Sequence, residues 1–348
     1  MSKSPHIISL AKRPPAFEGP AGTMAEVNAS VFPILNRLSM SRLILAPLGV
    51  REPHWYANAH TLGYCLRGEA LMTIAGNHSA RDSFTLKAGE MFFVPSGAMQ
   101  HIENTGDTEA EFIMAHTHQT PEQFGISGAF LAMTDAVLAN TFDLKADAFS
   151  HLKRTAGEAH IGFRADKAVI EAAERHINPY KYKVEATPPQ IDTPSGVARL
   201  SKSDIWPALK DVSMFSINIR DEGMREPHWH PGTAEMGYVT RGTGRMTILN
   251  PDGQADTYVM TPGDVYFIPR AYPHHIEDIG NGDLHVLVFF DQALPGDIGF
   301  KSLASCYSRQ ILASAFDVVE ADLPNFPFTD VDPLIVPRGN PIDAVGVQ

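Results

Sequence analysis

The chain has 348 residues, enough for two domains of ordinary size, and at 44% hydrophobic content it can bury a real core. A formal charge of −12 argues against nucleic acid and against anionic membrane surfaces as partners. Two cysteines, Cys65 and Cys306, imply no disulfide framework.

The opening residues hold no continuous apolar stretch of the kind a secretory signal needs. Nowhere does an apolar run approach the ~20 residues that span a bilayer. The expectation is a soluble, cytoplasmic protein. Residues 1–37, with Pro14, Pro15, Gly19, Pro20 and Gly22, read as an irregular arm. From Leu38 the pattern turns strand-like, with Leu43 and Leu45, Leu71 and Ile74, Phe84 and Leu86, then Met91 to Val94. Each run is short and closed by Gly, Pro or Asn, which suits an antiparallel barrel over 38–145. Ala129–Leu138 reads as a helix near its end. Residues 146–204 read as a linker with a helix over Ala165–His176 and extended chain at Pro188, Pro189 and Pro194. A second barrel follows over 205–322. The tail 323–348, rich in proline from Pro324 to Pro341, is expected to lie over the surface.

The two barrels form an internal repeat with a constant offset of 174 residues, as between His54 and His228. Arg51-Glu-Pro-His54-Trp55 recurs as Arg225-Glu-Pro-His228-Trp229, Gly63-Tyr64 as Gly237-Tyr238, and Met72-Thr-Ile74 as Met246-Thr-Ile248. Gly89, Pro95 and His101-Ile-Glu103 return as Gly263, Pro269 and His275-Ile-Glu277. Such an offset leaves no net insertion, so both halves are expected to share one fold.

The second half carries the chemistry. His228 and His230, two apart on a strand, point to one face. Glu235 adds a carboxylate and His274 a third imidazole. Three neutral nitrogens and one anionic oxygen suit a borderline divalent ion such as Mn, Fe, Ni, Cu or Zn. Four protein ligands would leave two positions of an octahedral ion open to substrate or dioxygen. In the first half only His54 survives; Tyr56, Thr61 and Gln100 stand at the other three places. Neutral Thr and Gln oxygens are poor replacements, so no metal is expected there. The alternative is a relocated site drawing on His60, His101 or His116. His275 and His285 fall on the outward parity of their strands, while Trp229, Tyr238 and Phe267 read as core.

The Arg-Glu-x-His-Trp-His motif, the strand Gly263-Asp-Val-Tyr-Phe-Ile-Pro269 and the His-Ile-Glu after the last ligand resemble the bicupin oxalate decarboxylase family, over residues 38–145 and 205–320. The resemblance implies an all-β fold of two tandem cupin (double-stranded β-helix, jelly-roll) barrels with short helices. It implies one divalent metal per chain, most directly manganese, on His228, His230, Glu235 and His274. It also implies a small carboxylic acid as substrate, dioxygen as a possible co-reactant, and a homo-oligomer. Arg225 matches the family arginine beside the substrate carboxylate. Strict alternation would turn Arg225 away from His228, so that role requires a bulge near Pro227; a structural ion pair is the alternative. The family's mobile Ser- and Glu-containing lid has no counterpart in residues 116–124, and a further family carboxylate is replaced by Val288. Asp297 is then the acid placed to move a proton, with Asp291 behind it. The rival readings are a cupin oxidase or dioxygenase using Fe, Ni or Cu, and a non-catalytic metal- or ligand-binding cupin.

Overall fold

The computed structural model describes residues 4–77, 80–154, 160–167 and 178–340. It divides into two compact units, Arg13–Ala186 and Thr187–Gln348 with Met1–Lys12. Each is a pair of antiparallel sheets. In the second unit one sheet runs Ile7–Ser9, Asp264–Ile268, Glu235–Arg241, Leu284–Phe290, Ser213–Ile219, Gly196–Ser201, Ile191–Thr193. The other runs Ala255–Met260, Gly244–Leu249, His274–Asp278, Gly223–Trp229, Ile298–Gly299, with Ile335–Pro337 also on Gly223–Trp229. The first unit repeats this order strand for strand at the same offset, except that its counterpart of Ile7–Ser9, Lys181–Tyr182, lies 174 residues later in the chain and not earlier.

Side-chain alternation explains which face of each strand is buried. Along Gly244–Leu249 the residues Gly244, Met246 and Ile248 are buried while Arg245, Thr247 and Leu249 are not. Met246 and Ile248 join Val286, Val288, Phe290 and Tyr258 in one core cluster, each such side chain contributing about 1.5–3 kcal/mol. Every residue of Asp264–Ile268 is buried, because the arm strand Ile7–Ser9 covers its edge. The Gly-Asp turn that starts this strand has Gly263 at φ 90°, and the Asp264 carboxylate accepts from Thr261 N and Oγ1, both at 2.9 Å.

Short segments outside the predicted barrels complete both units. Ile7–Ser9 pairs with Asp264–Ile268, and its repeat Lys181–Tyr182 pairs with Met91–Val94. In the tail, Ile335–Pro337 pairs with Gly223–Trp229, and Ile335 is a member of the second core. Its repeat, Ile161–Phe163, pairs with Gly49–Tyr56. The single helix expected over Ala129–Leu138 is two, Ile126–Leu131 and Asp135–Phe142. The break falls where Thr134 leaves the helical conformation and its side chain accepts from Val137 N, capping the second helix. Within the span Ala165–His176, residues 165–167 are not helical and the rest lies outside the described residues. Cys65 is a buried free thiol and Cys306 an exposed one. Among the described residues no helix is long and apolar enough to cross a membrane.

Candidate metal centre

His228 and His274 face each other across neighbouring strands, and Glu235 opens a strand of the opposite sheet. His230 follows the end of Gly223–Trp229. Their ligating atoms all lie within 4.8 Å of one another, and all four residues are buried. His228 Nε2 is 3.2 Å from His230 Nε2; Glu235 Oε2 is 2.9 Å from His230 Nε2 and 3.3 Å from His274 Nε2.

The far nitrogen of every imidazole is committed. His228 Nδ1 lies 2.7 Å from the Glu226 carbonyl, His230 Nδ1 2.7 Å from the Gly296 carbonyl and His274 Nδ1 2.9 Å from the Tyr272 carbonyl. A carbonyl can only accept, so each Nδ1 carries the proton and each Nε2 presents a lone pair to the centre. Burial, with Arg225 and the other two imidazoles adding to it, holds His228 well below its ordinary range, in the neutral form a metal needs. Burial would raise Glu235, but imidazolium at His274 and His230, as long as no ion takes the place of their Nε2 protons, would hold the carboxyl well below the usual carboxylate range. His274 Nε2 is buried without a hydrogen-bond partner. A closed ring of three lone pairs and one carboxylate, one of them orphaned, fits a divalent cation.

Tyr266 hydroxyl donates to Glu235 Oε1 at 2.6 Å, leaving Oε2 for the centre. Its ring lies over Gly237, where a Cβ would come within 2.1 Å of it. Sequence reasoning missed this residue among the strand's buried aromatics. The signal was available: Phe92 stands at the equivalent place, and the hydroxyl is lost together with the carboxylate it would orient.

The bulge at Pro227 is present. Arg225 pairs with Ile276 and His228 with His274, so three steps on one strand match two on the other. Arg225 thereby joins His228, His230 and Glu235 in one cavity, closed by Asp297, Leu334 and the apolar side chains of Phe215, Ile276, Val288 and Phe290. Its Nη2 donates to Asp297 Oδ2, and its Nη1 donates to the Leu334 carbonyl at 3.2 Å. Asp297 Oδ2 is also 3.8 Å from His230 Nδ1. The cavity measures about 10 Å³, room for one water or one ion.

The remaining candidates lie elsewhere. Asp291 accepts from Ala234 N at 2.9 Å and pairs with Arg270 at 2.5 Å, which fixes the chain next to Glu235. Val288 is apolar wall. His275 sits 3.5 Å from Glu277, and His285 bonds Ser216 and Thr240. Tyr238 and Phe267 are core, whereas Trp229 is half-buried with its ring 6.0 Å from Phe300. In the first barrel His60 Nδ1 accepts from Ser96 N, His101 faces Glu103, and His116 bonds Ser41 and Thr61. Among the described residues only the His228 set gathers three or more such ligands.

The structure of oxalate decarboxylase from Bacillus subtilis at pH 4.6 superposes with a TM-score of 0.86 at 22% identity, covering 97% of this chain and 89% of that one. In sequence, oxalate decarboxylase OxdC of Bacillus subtilis (strain 168) is 25% identical over 304 residues, 85% of this chain and 78% of the relative. Oxalate oxidase GF-2.8 of Triticum aestivum is 33% identical over 103 residues, 28% of this chain and 46% of the relative. The cupin family model matches twice, over residues 8–148 and 183–322. Matched over most of its length, once through each barrel, the chain belongs to the cupin family.

Proposed function

We propose that this chain is a metal-dependent enzyme of the oxalate decarboxylase type, acting on a small carboxylic acid in its second barrel. The reading is carried by one observation: the buried His228, His230, Glu235 and His274 ring shares its cavity with Arg225 and Asp297. Those four side chains would hold one ion per chain. Manganese is the preferred identity because the Bacillus subtilis enzyme has Mn(II) centers; Fe, Ni, Cu and Zn share the ligand chemistry. A divalent ion in that ring supplies Lewis-acid polarisation of a carboxylate.

The protein supplies the rest. Arg225 offers planar donors matched to a carboxylate, and Asp297 occupies them in the closed state. An incoming acid takes that place and releases Asp297, whose freed carboxylate can take up a proton from the acid or from solvent and pass it to the reacting carbon. Phe215, Ile276, Val288 and Phe290 keep the cavity dry. Since that cavity has room only for a water, the acid enters when the Asp297 segment or Leu334 gives way. A homo-oligomer belongs to the same proposal, with Phe316, Val319 and Phe328 as exposed apolar surface.

The test is oxalate turnover with product analysis, beside metal content by mass spectrometry. Equal carbon dioxide and formate, abolished in Glu235→Gln, supports the decarboxylase. Hydrogen peroxide with carbon dioxide and no formate would move the assignment to an oxidase, the reading that Val288 and the missing lid favour. Tight oxalate capture without turnover would leave a binding protein.

A further inference from the structure

The first barrel differs from the second by more than lost ligands. Beside Tyr56, Thr61 and Gln100, three apolar positions of the second barrel have become polar: Leu200, Phe215 and Phe290 correspond to Glu26, Ser41 and His116. In the second barrel the Phe215 and Phe290 rings meet edge to face, 4.7 Å between centroids. In the first, Ser41 Oγ lies 2.9 Å from His116 Nε2, and Thr61 Oγ1 lies 3.2 Å from His116 Nδ1. An interior relieved of its metal would be cheapest to fill with apolar side chains, because buried polar groups cost free energy until they are paired. This one became more polar.

Arg51 shows what the polarity serves. Its strand keeps the bulge, with Arg51 opposite Ile102 and His54 opposite Gln100. Arg51 Nη1 donates to the His160 carbonyl at 3.3 Å, as Arg225 does to Leu334. The second contact differs. Arg225 Nη2 donates to Asp297, but the equivalent residue here is Gln123, and Arg51 Nη2 is buried without a partner. The Glu52 carboxylate is 4.0 Å from Nη1 and is already taken by Ser127 Oγ at 2.9 Å and His160 N at 3.2 Å. Arg51 is only 1% exposed. A guanidinium so buried needs an anion, since an unpaired buried charge costs several kcal/mol.

The neighbours suit an organic guest. Burial, with Arg51 adding to it, keeps His54 well below its ordinary range and pushes His116 down to about 3, so both stay neutral. Tyr56 is a hydrogen-bonding neighbour of Arg51 but is held in its phenol form by burial, so it offers a neutral oxygen and not an anion. Glu26, the other acid that feels Arg51, is pushed up by burial. We infer that the first barrel holds a second, metal-independent binding site for a small organic carboxylate, which pairs with Arg51 Nη2 where Asp297 pairs with Arg225. This stands apart from the chemistry of the second barrel.

The full-length protein, stripped of metal by a chelator, is titrated calorimetrically with acetate and with oxalate. We expect one saturable site per chain for at least one of them, equally present with and without chelator. Gln123→Asp returns the internal carboxylate and should weaken that site roughly tenfold or more, about 1.4 kcal/mol. It should melt no lower than the parent, which separates competition from unfolding. Arg51→Gln should abolish binding and Arg225→Gln should spare it. Absence of millimolar binding for both acids, unchanged affinity in Gln123→Asp, or loss of the site in Arg225→Gln would each overturn the assignment.

Discussion

Replacing Tyr266 with Phe removes one hydroxyl from a place where a phenyl ring already has a precedent, since Phe92 packs over Gly63 in the first barrel. The fold should survive, while Glu235 loses the donor on Oε1. Metal affinity is expected to fall about 10- to 100-fold, read by competition with a chromophoric chelator. An unchanged affinity would show that Glu235 needs no orienting partner. At this scale the sequence was informative where chemistry repeats at fixed spacing. His228, His230, Glu235 and His274 stood out because their equivalents Tyr56, Thr61 and Gln100 differ in type. The part played by Arg225 hinged on a bulge that Pro227 only hinted at, and its bond to Asp297 joins residues 72 positions apart, beyond any local pattern.

Single short strands finish each barrel, and they were the least legible part of the chain. Ile7–Ser9 and Ile335–Pro337 have three residues each, too few to show a period of two, and Pro337 reads as a breaker. Yet Ile335 is 2% exposed and packs in the second core, next to the Leu334 carbonyl that receives Arg225. Ile335→Ala should cost about 2–5 kcal/mol in chemical denaturation, as for other buried large-to-small changes. A cost below half a kcal/mol would mean that the tail is a cover and not a strand of the barrel. The helices after the first barrel were misread for a related reason: apolar periodicity ran across Thr134, whose capping side chain ends one helix and starts the next.

Across the whole molecule, acid stability carries the imprint of the first barrel. His116 is held at about 3 by burial, against an ordinary 6.5. Between those values the unfolded chain binds the proton and the folded chain does not. Its contribution is therefore complete above 6.5 and is lost as pH falls toward 3. From pH 6 to pH 4 the unfolding free energy of the parent should drop more steeply than that of His116→Phe, by about 1.4 kcal/mol per pH unit. Parallel slopes in equilibrium denaturation would place a protonated imidazole inside that barrel. The repeat made this asymmetry readable only in part: the offset pairs Ser41 and His116 with Phe215 and Phe290, but that the two polar side chains meet inside the barrel shows only in their hydrogen bond.

The exchanged arms bear on how the chain is made. Ile7–Ser9 leaves the ribosome some 255 residues ahead of Asp264–Ile268, the strand it docks on, while Lys181–Tyr182 follows Met91–Val94 by fewer than 100. Ile7–Ser9 thus waits through synthesis of the entire first barrel before the strand bearing Tyr266 can receive it.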